Sequence, residues 1–258
     1  MKNLNTVSMS LFASVLLLSS LAQAAQAPKE TAVQILTKSE NQTRGKSLQA
    51  HMKMKIVKEE LNHEMEIKVW YSGTDKGMVK ILKPEKDRDV GNLRLNLDLW
   101  QYLPNLEKIV KIPPSMMLQS WMGSDFTNDD LVKTSSLARD YDSQITKYEV
   151  VNGVKTVVIV CHPKPTAPVT WGKVVAWIGL DGYVPIKQEF YLENGKLVKT
   201  MTGSKIKIFG KHKIPSIVEM KSLDRNSTTT IEYITARFDD PIDGNIFRQE
   251  YLRKPATQ

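Results

Sequence analysis

Three stretches of the chain alternate strictly between apolar and polar positions. Met52, Met54 and Ile56 interleave with His51, Lys53 and Lys55. Met65, Ile67, Val69 and Tyr71 interleave with Glu64, Glu66, Lys68 and Trp70, and Leu93, Leu95, Leu97 and Leu99 with Asn92, Arg94, Asn96 and Asp98. Neighbouring side chains on a strand point to opposite faces, so each stretch predicts a strand with one dry and one wet face, as in antiparallel sheet. Turn signals separate the stretches: Ser72-Gly73, Lys83-Pro84 and Pro104-Asn105. In the second half, Asn152-Gly153 predicts a tight hairpin between 148–151 and 155–161, and Asn194-Gly195 another between 186–193 and 196–208. Asp181-Gly182 bends the chain after 174–180, and further strands are expected over 214–223 and 228–238. The pattern gives about ten or eleven strands, nearly all joined by hairpins.

Two segments follow a helical period instead. Residues 30–39 place Ala32, Val33, Ile35 and Leu36 on roughly one face, and Asn41 to Gly45 is expected to break that helix. After Pro113-Pro114, Met117, Leu118, Trp121 and Met122 fall at helical spacing, and Ser124 to Asp130 offers several N-capping side chains. We read 115–140 as a helical excursion that can cover the dry face of a curved sheet. If the cover is permanent, that face is a core. If it moves, the face is open to an apolar ligand, since each buried CH₂ contributes about 0.8 kcal/mol.

The first residues change the frame. Lys2, an uncharged apolar run from Leu11 to Leu21 and the small-x-small triplet Ala22-Gln23-Ala24 form a secretory leader with a cut expected after Ala24. The run is shorter than the roughly 20 residues a bilayer requires. Residues 25–258 are then expected to form a single soluble secreted domain, without a lipid anchor, large enough to bury roughly 70% of its unfolded surface. The chain carries a formal charge of +8, of which Lys2 belongs to the leader, leaving +7. Outside the cytosol, that excess points to anionic lipid or envelope surfaces or to simple solvation, rather than to nucleic acid.

Candidate chemistry is sparse. No phosphate loop, dinucleotide glycine pattern, HExxH or G-x-S-x-G motif occurs. His51, His63, His162 and His212 show no metal-ligand spacing. Cys161, the single cysteine, sits in an apolar strand, and His162 beside it faces the other way. Asp129-Asp130 and Asp239-Asp240 are more simply capping or solvated pairs than acid–base pairs. Met52, Met54 and Met65 could invite Cu(I), but alternate strand positions are where core or a flexible apolar cavity would place methionine. No catalytic residue, metal or cofactor is expected.

One stretch is more specific. It runs Trp100-Gln101-Tyr102-Leu103-Pro104, then Lys108 to Pro113, then Ser120-Trp121-Met122-Gly123-Ser124-Asp125-Phe126-Thr127-Asn128-Asp129-Asp130-Leu131. It closely resembles the outer-membrane lipoprotein-sorting proteins, relatives of the periplasmic lipoprotein carrier LolA. Trp121 stands where family members usually have phenylalanine. The match continues through 172–178, 183–186 and 196–200. The resemblance implies a mainly β fold, a strongly curved antiparallel half-barrel with short helices covering its concave face. It also implies an apolar interior that accommodates acyl chains and, for many members, a link to exporters of the resistance-nodulation-division type. Arg44, before Gly45, is similar in position to an arginine that helps close the LolA lid.

The expected cavity is therefore Met52, Met54, Ile56, Met65, Ile67, Val69, Leu93, Leu95 and Leu97, and the expected lid Arg44, Met117, Leu118, Trp121 and Met122. The function expected is a non-enzymatic carrier of lipidated ligands, lipoprotein or lipid, towards the outer membrane. The rival reading is an adaptor that docks on an exporter and never carries lipid. An interior of this kind should read chain length and be nearly indifferent to the head group.

Overall fold

A computed structural model describes residues 30–256, apart from residues 60, 133–135, 166 and 168. The expected leader, 1–24, lies outside the described residues. Thirteen strands form one open antiparallel sheet. The first six are β1 (Ser47–Lys58), β2 (Leu61–Ser72), β3 (Lys76–Lys83), β4 (Gly91–Leu95), β5 (Asp98–Leu103) and β6 (Lys108–Lys111). The second seven are β7 (Tyr141–Val151), β8 (Val154–Pro163), β9 (Lys173–Gly179), β10 (Pro185–Tyr191), β11 (Leu197–Phe209), β12 (His212–Ser222) and β13 (Ser227–Phe238).

The strand order explains the excursion. The chain steps outward from β1 to β6, one hairpin at a time, and steps back inward from β7 to β13, which pairs with β1. Strands β6 and β7 are opposite edges of the sheet, so the residues between them must travel from one edge to the other. They do so across one face, here called the inner face. The helical excursion expected over 115–140 is a series of short turns and helices and not one continuous helix. Short 3₁₀ turns at Pro114–Met116 and Trp121–Gly123 precede two brief helices, α2 (Asn128–Val132) and α3 (Leu137–Asp140). Met122 at φ 49° and Gly123 at φ 76° are both left-handed, which breaks helical continuity.

The count exceeds the expected ten or eleven strands partly because the leucine run 93–99 is two strands. Asn96 adopts φ 55° and turns the chain, so Leu95 pairs with Asp98, Leu93 with Trp100 and Arg94 with Leu99. Leu97 sits in that turn and is 72% exposed. At Asn152-Gly153 both residues take positive φ, 49° and 79°, as the Asn-Gly signal requires.

Helix α1 (Ala32–Arg44) opens with a capping box in which Thr31 and Gln34 bond each other's backbone N–H. It buries Ala32, Ile35, Leu36 and Ser39 while Val33 faces solvent, so the dry face is 32/35/36/39. The helix runs past Asn41, because Gln42, Thr43 and Arg44 carry no backbone restriction. It stops at Gly45, φ 60°, where a Cβ would lie 2.8 Å from Asp239 Oδ1. It packs against β7, β9 and β12 and against α3.

The inner face thus has two covered halves. Under α1 lies a cluster that includes Val157, Ile159, Cys161, Val174 and Ala176. Under Trp121 lies another, which includes Leu48, Met52, Met54, Met65, Ile67, Val69 and Val79. Phe126 packs against both. On the outer face, a third cluster of Trp70, Met78, Leu93 and Tyr102 is closed by Phe247 and Leu252, the latter in α4 (Gln249–Leu252). None of the described helices is long and apolar enough to cross a membrane.

Candidate ligand site

Between the two covers the inner face is not filled. A cavity of about 280 Å³ lies between α1, through Ser39, Glu40 and Thr43, and strands β10 to β13. A second, about 180 Å³, lies beneath Trp121 and is lined by Met52, Met54, Ile67 and Val69. Phe126 and Ile231 line both. A third space of about 290 Å³ is more polar, bounded by Arg44, Tyr71, Thr74, Arg94 and Asp130. Tyr233 lines all three, so they meet at the seam where β1 pairs with β13. Met52 pairs with Tyr233 and Met54 with Ile231 across that seam. Burial pushes the Tyr233 phenol up to about 12, so it stays neutral.

The covering segment is tethered to the sheet at Asp125. Asp125 is fully buried, and its carboxylate accepts hydrogen bonds from the hydroxyls of Ser227 and Thr229. The Arg225 guanidinium lies 3.2 Å from it. The Asp125 N–H donates to Thr229 Oγ1 at 2.8 Å, and its carbonyl accepts from Lys199 Nζ at 2.7 Å. Such a buried charge is tolerated because it is paired and fully hydrogen-bonded. Trp121 is buried above the sheet, its indole N–H donating to Asn92 Oδ1 at 3.0 Å. Helix α1 has its own fastenings. Glu40 accepts from Ser136 Oγ and the Ala138 N–H, and His212 bridges the Gln42 carbonyl and the Asp239 carboxylate. The His212 contact, with the Lys46 N–H and Lys211, holds the Asp239 carboxyl well below its usual range.

The expected site residues separate into three groups. Met52, Met54, Ile67 and Val69 line the cavity under Trp121, and Ile56 and Met65 are buried in the same cluster. Arg44 borders the polar opening, Trp121 is a cover, and Met122 packs half-buried against its cluster. The leucine row does not belong there. Register carries the inner face from Val69 to Val79 to Asn92, so Asn92 and Arg94 point inward while Leu93 and Leu95 point out towards the C-terminal segment. Met117 packs on Leu99 and Ile112 near the edge, and Leu118 is 62% exposed, because the chain around them is turns and not a helix.

Sequence reasoning missed Phe126, Ile231, Tyr233, Asn92 and Arg94. Phe126 was visible inside the Ser124-Asp125-Phe126 motif, and Ile231 and Tyr233 alternate with Thr230 and Glu232. Asn92 and Arg94 carried the opposite signal. Cys161 is buried, its thiol pushed up to about 11 by desolvation, while His162 faces outward, so the two form no pair.

A family model described as "Uncharacterized protein" matches residues 73–254. The chain belongs to this family. No curated protein matches it. Among solved structures, a DUF1329 family protein from Desulfovibrio piger is 18% identical, with 85% of this chain and 97% of that one covered and a TM-score of 0.79. A putative outer membrane lipoprotein-sorting protein domain from Vibrio parahaemolyticus is 24% identical, covering 86% and 98%, at a TM-score of 0.74. A LolA superfamily protein from Nitrosomonas europaea is 21% identical, covering 86% and 99%, at 0.71. The fold is therefore the LolA-like one to which the motif at 100–131 points.

Proposed function

We propose that this protein is a non-enzymatic periplasmic carrier that holds the acyl chains of a lipid or lipoprotein on the inner face of its half-barrel. The observation that supports it most is the unfilled apolar space around Phe126, Ile231 and Tyr233. Protein interiors normally leave few voids larger than a water molecule, and ligand sites typically occupy about 300–1,000 Å³. The two apolar cavities, joined through a displaced Phe126 ring, suit a single chain better than a bulky ring system. Methionines at 52, 54 and 201 let the wall adapt to different chains.

The leader expected at 1–24 would deliver the chain to the periplasm. The positive excess would draw it to anionic membrane surfaces, an attraction that should weaken as salt rises. An inner-membrane exporter of the resistance-nodulation-division type is the proposed transfer partner. Purification from the native envelope, followed by mass spectrometry of extracted lipid, tests the reading. Stoichiometric acyl chains are expected. Their absence, together with a tight exporter complex, would support the adaptor instead.

A further inference from the structure

We propose that Arg94, with Arg44 bordering the same opening, selects an anionic head group for the amphiphile whose chain occupies the apolar cavities. This rests on the carrier reading and adds to it a ligand class. The opening shares Leu48, Tyr71 and Tyr233 with the apolar space, so a chain lying there brings its head to the two arginines.

Arg94 is 5% exposed. Its Nη2 donates to the Thr74 carbonyl, and its Nε is buried with no hydrogen-bond partner among the described residues. A guanidinium taken out of water with a donor unmet is costly, and an anion presented to it would supply a charge-assisted acceptor. Burial works first against its charge, and the field of Arg44 adds to that, while Tyr71 and Asp75 partly offset both. An arriving carboxylate or phosphate would oppose both effects. Across the β2–β3 pairing, Gly77 stands opposite Tyr71, where a Cβ would lie 2.8 Å from the ring, so the absent side chain keeps the Tyr71 ring in place beside Arg94.

Asp130 also borders the opening, but its carboxylate accepts from the Thr127 N–H and hydroxyl at 2.8 and 2.9 Å. Among the described residues that line it, the charged ones are two arginines and one aspartate. That balance favours a single anionic group over a cationic one. A free fatty acid and an anionic phospholipid both offer this chemistry.

The test compares ligands of one chain length: myristate against methyl myristate, and myristyl phosphate against myristyl alcohol, on the wild type and on Arg94→Gln. The anion is expected to bind about tenfold tighter than its neutral partner, a difference Arg94→Gln should reduce to about threefold or less, while ester affinity stays unchanged. Preference for carboxylate alone or for phosphate as well tells which source fits. Equal binding of anion and ester by the wild type overturns the proposal, as does a preference that survives Arg94→Gln in folded protein. If Arg94→Gln does not fold, Arg94→Lys and the wild-type ratio decide, with Lys expected to retain part of the preference. Failure of the neutral ester to bind along with the anions would count against the carrier reading instead.

Discussion

Three rows of alternating apolar residues, on β1, β2 and β4, are alike in sequence, and the third has the opposite fate from the first two. The methionine and isoleucine rows face the space under Trp121, where Met52, Met54, Ile67 and Val69 border a cavity. The leucine row faces away, and Leu93 is fully buried beneath Phe247 and Leu252 in a packed cluster. Alternation says that a strand has a dry face; it does not say on which side of the sheet that face lies. Here both sides of the β3–β4 region are dry. Val79 and Ile81 serve the inner face, and Met78 the outer. The outer side is covered by the chain's own C-terminal segment, and the inner side by Trp121 with a cavity beneath it.

The largest expected effect separates the two faces by truncation. Leu93→Ala should lower stability by about 2–5 kcal/mol, the usual cost of emptying a packed core site, and leave acyl-chain affinity unchanged in the folded protein. Ile231→Ala, at a wall already facing empty space, should cost less stability and weaken chain binding several-fold. Chemical denaturation and a fluorescent fatty-acid titration read the two effects. A charge at Leu95, on the same outer side as Leu93, should likewise lower stability and spare binding. Affinity lost on Leu93→Ala, with Ile231→Ala silent, would reverse the assignment of the faces.

A smaller effect sharpens the outer side of the comparison. Lys80 is buried there, its ammonium donating to the Leu252 carbonyl at 2.8 Å and to the Lys254 carbonyl. Desolvation pushes it down to about 8 from 10.5. Between those values the unfolded chain binds more protons than the folded one, so this residue makes stability rise with pH, by at most about 1.4 kcal/mol per pH unit. The stability difference between wild type and Lys80→Met should therefore grow in the wild type's favour from pH 8 to 10. A difference flat in pH would mean that Lys80 is not desolvated as described.

Much of the fold was legible because it is local. The Asn-Gly turns, the alternation of β1 and β2 and the capped opening helix are written in short windows, and the motif at 100–131 carries the rest by resemblance. What was not legible depends on register and on long-range closure. A turn at Asn96 split one leucine run into two strands, left Leu97 in solvent and put Leu99 on the side opposite Leu93. Arg94 read as a wet-face residue because nothing near it in sequence shows that β4 presents its polar side to the interior. Leu118 kept helical spacing with Trp121, but the left-handed turn at Met122-Gly123 and the tether at Asp125 hold that segment in another shape. The expectation of an interior indifferent to the head group was formed without Arg94 in the wall, and the comparison of anionic and neutral ligands tests it.

The central claim is that acyl chains lie on the inner face at the β1–β13 seam. A fatty acid with a photoactivatable diazirine at its chain end, bound to the folded protein and cross-linked, locates the chain when the adducts are mapped by peptide mass spectrometry. Adducts on Met52, Met54, Phe126, Ile231 or Tyr233 are the predicted result. Adducts concentrated on Leu93, Leu95 or Trp100 of the outer face, or none in protein shown to bind the probe, would contradict it.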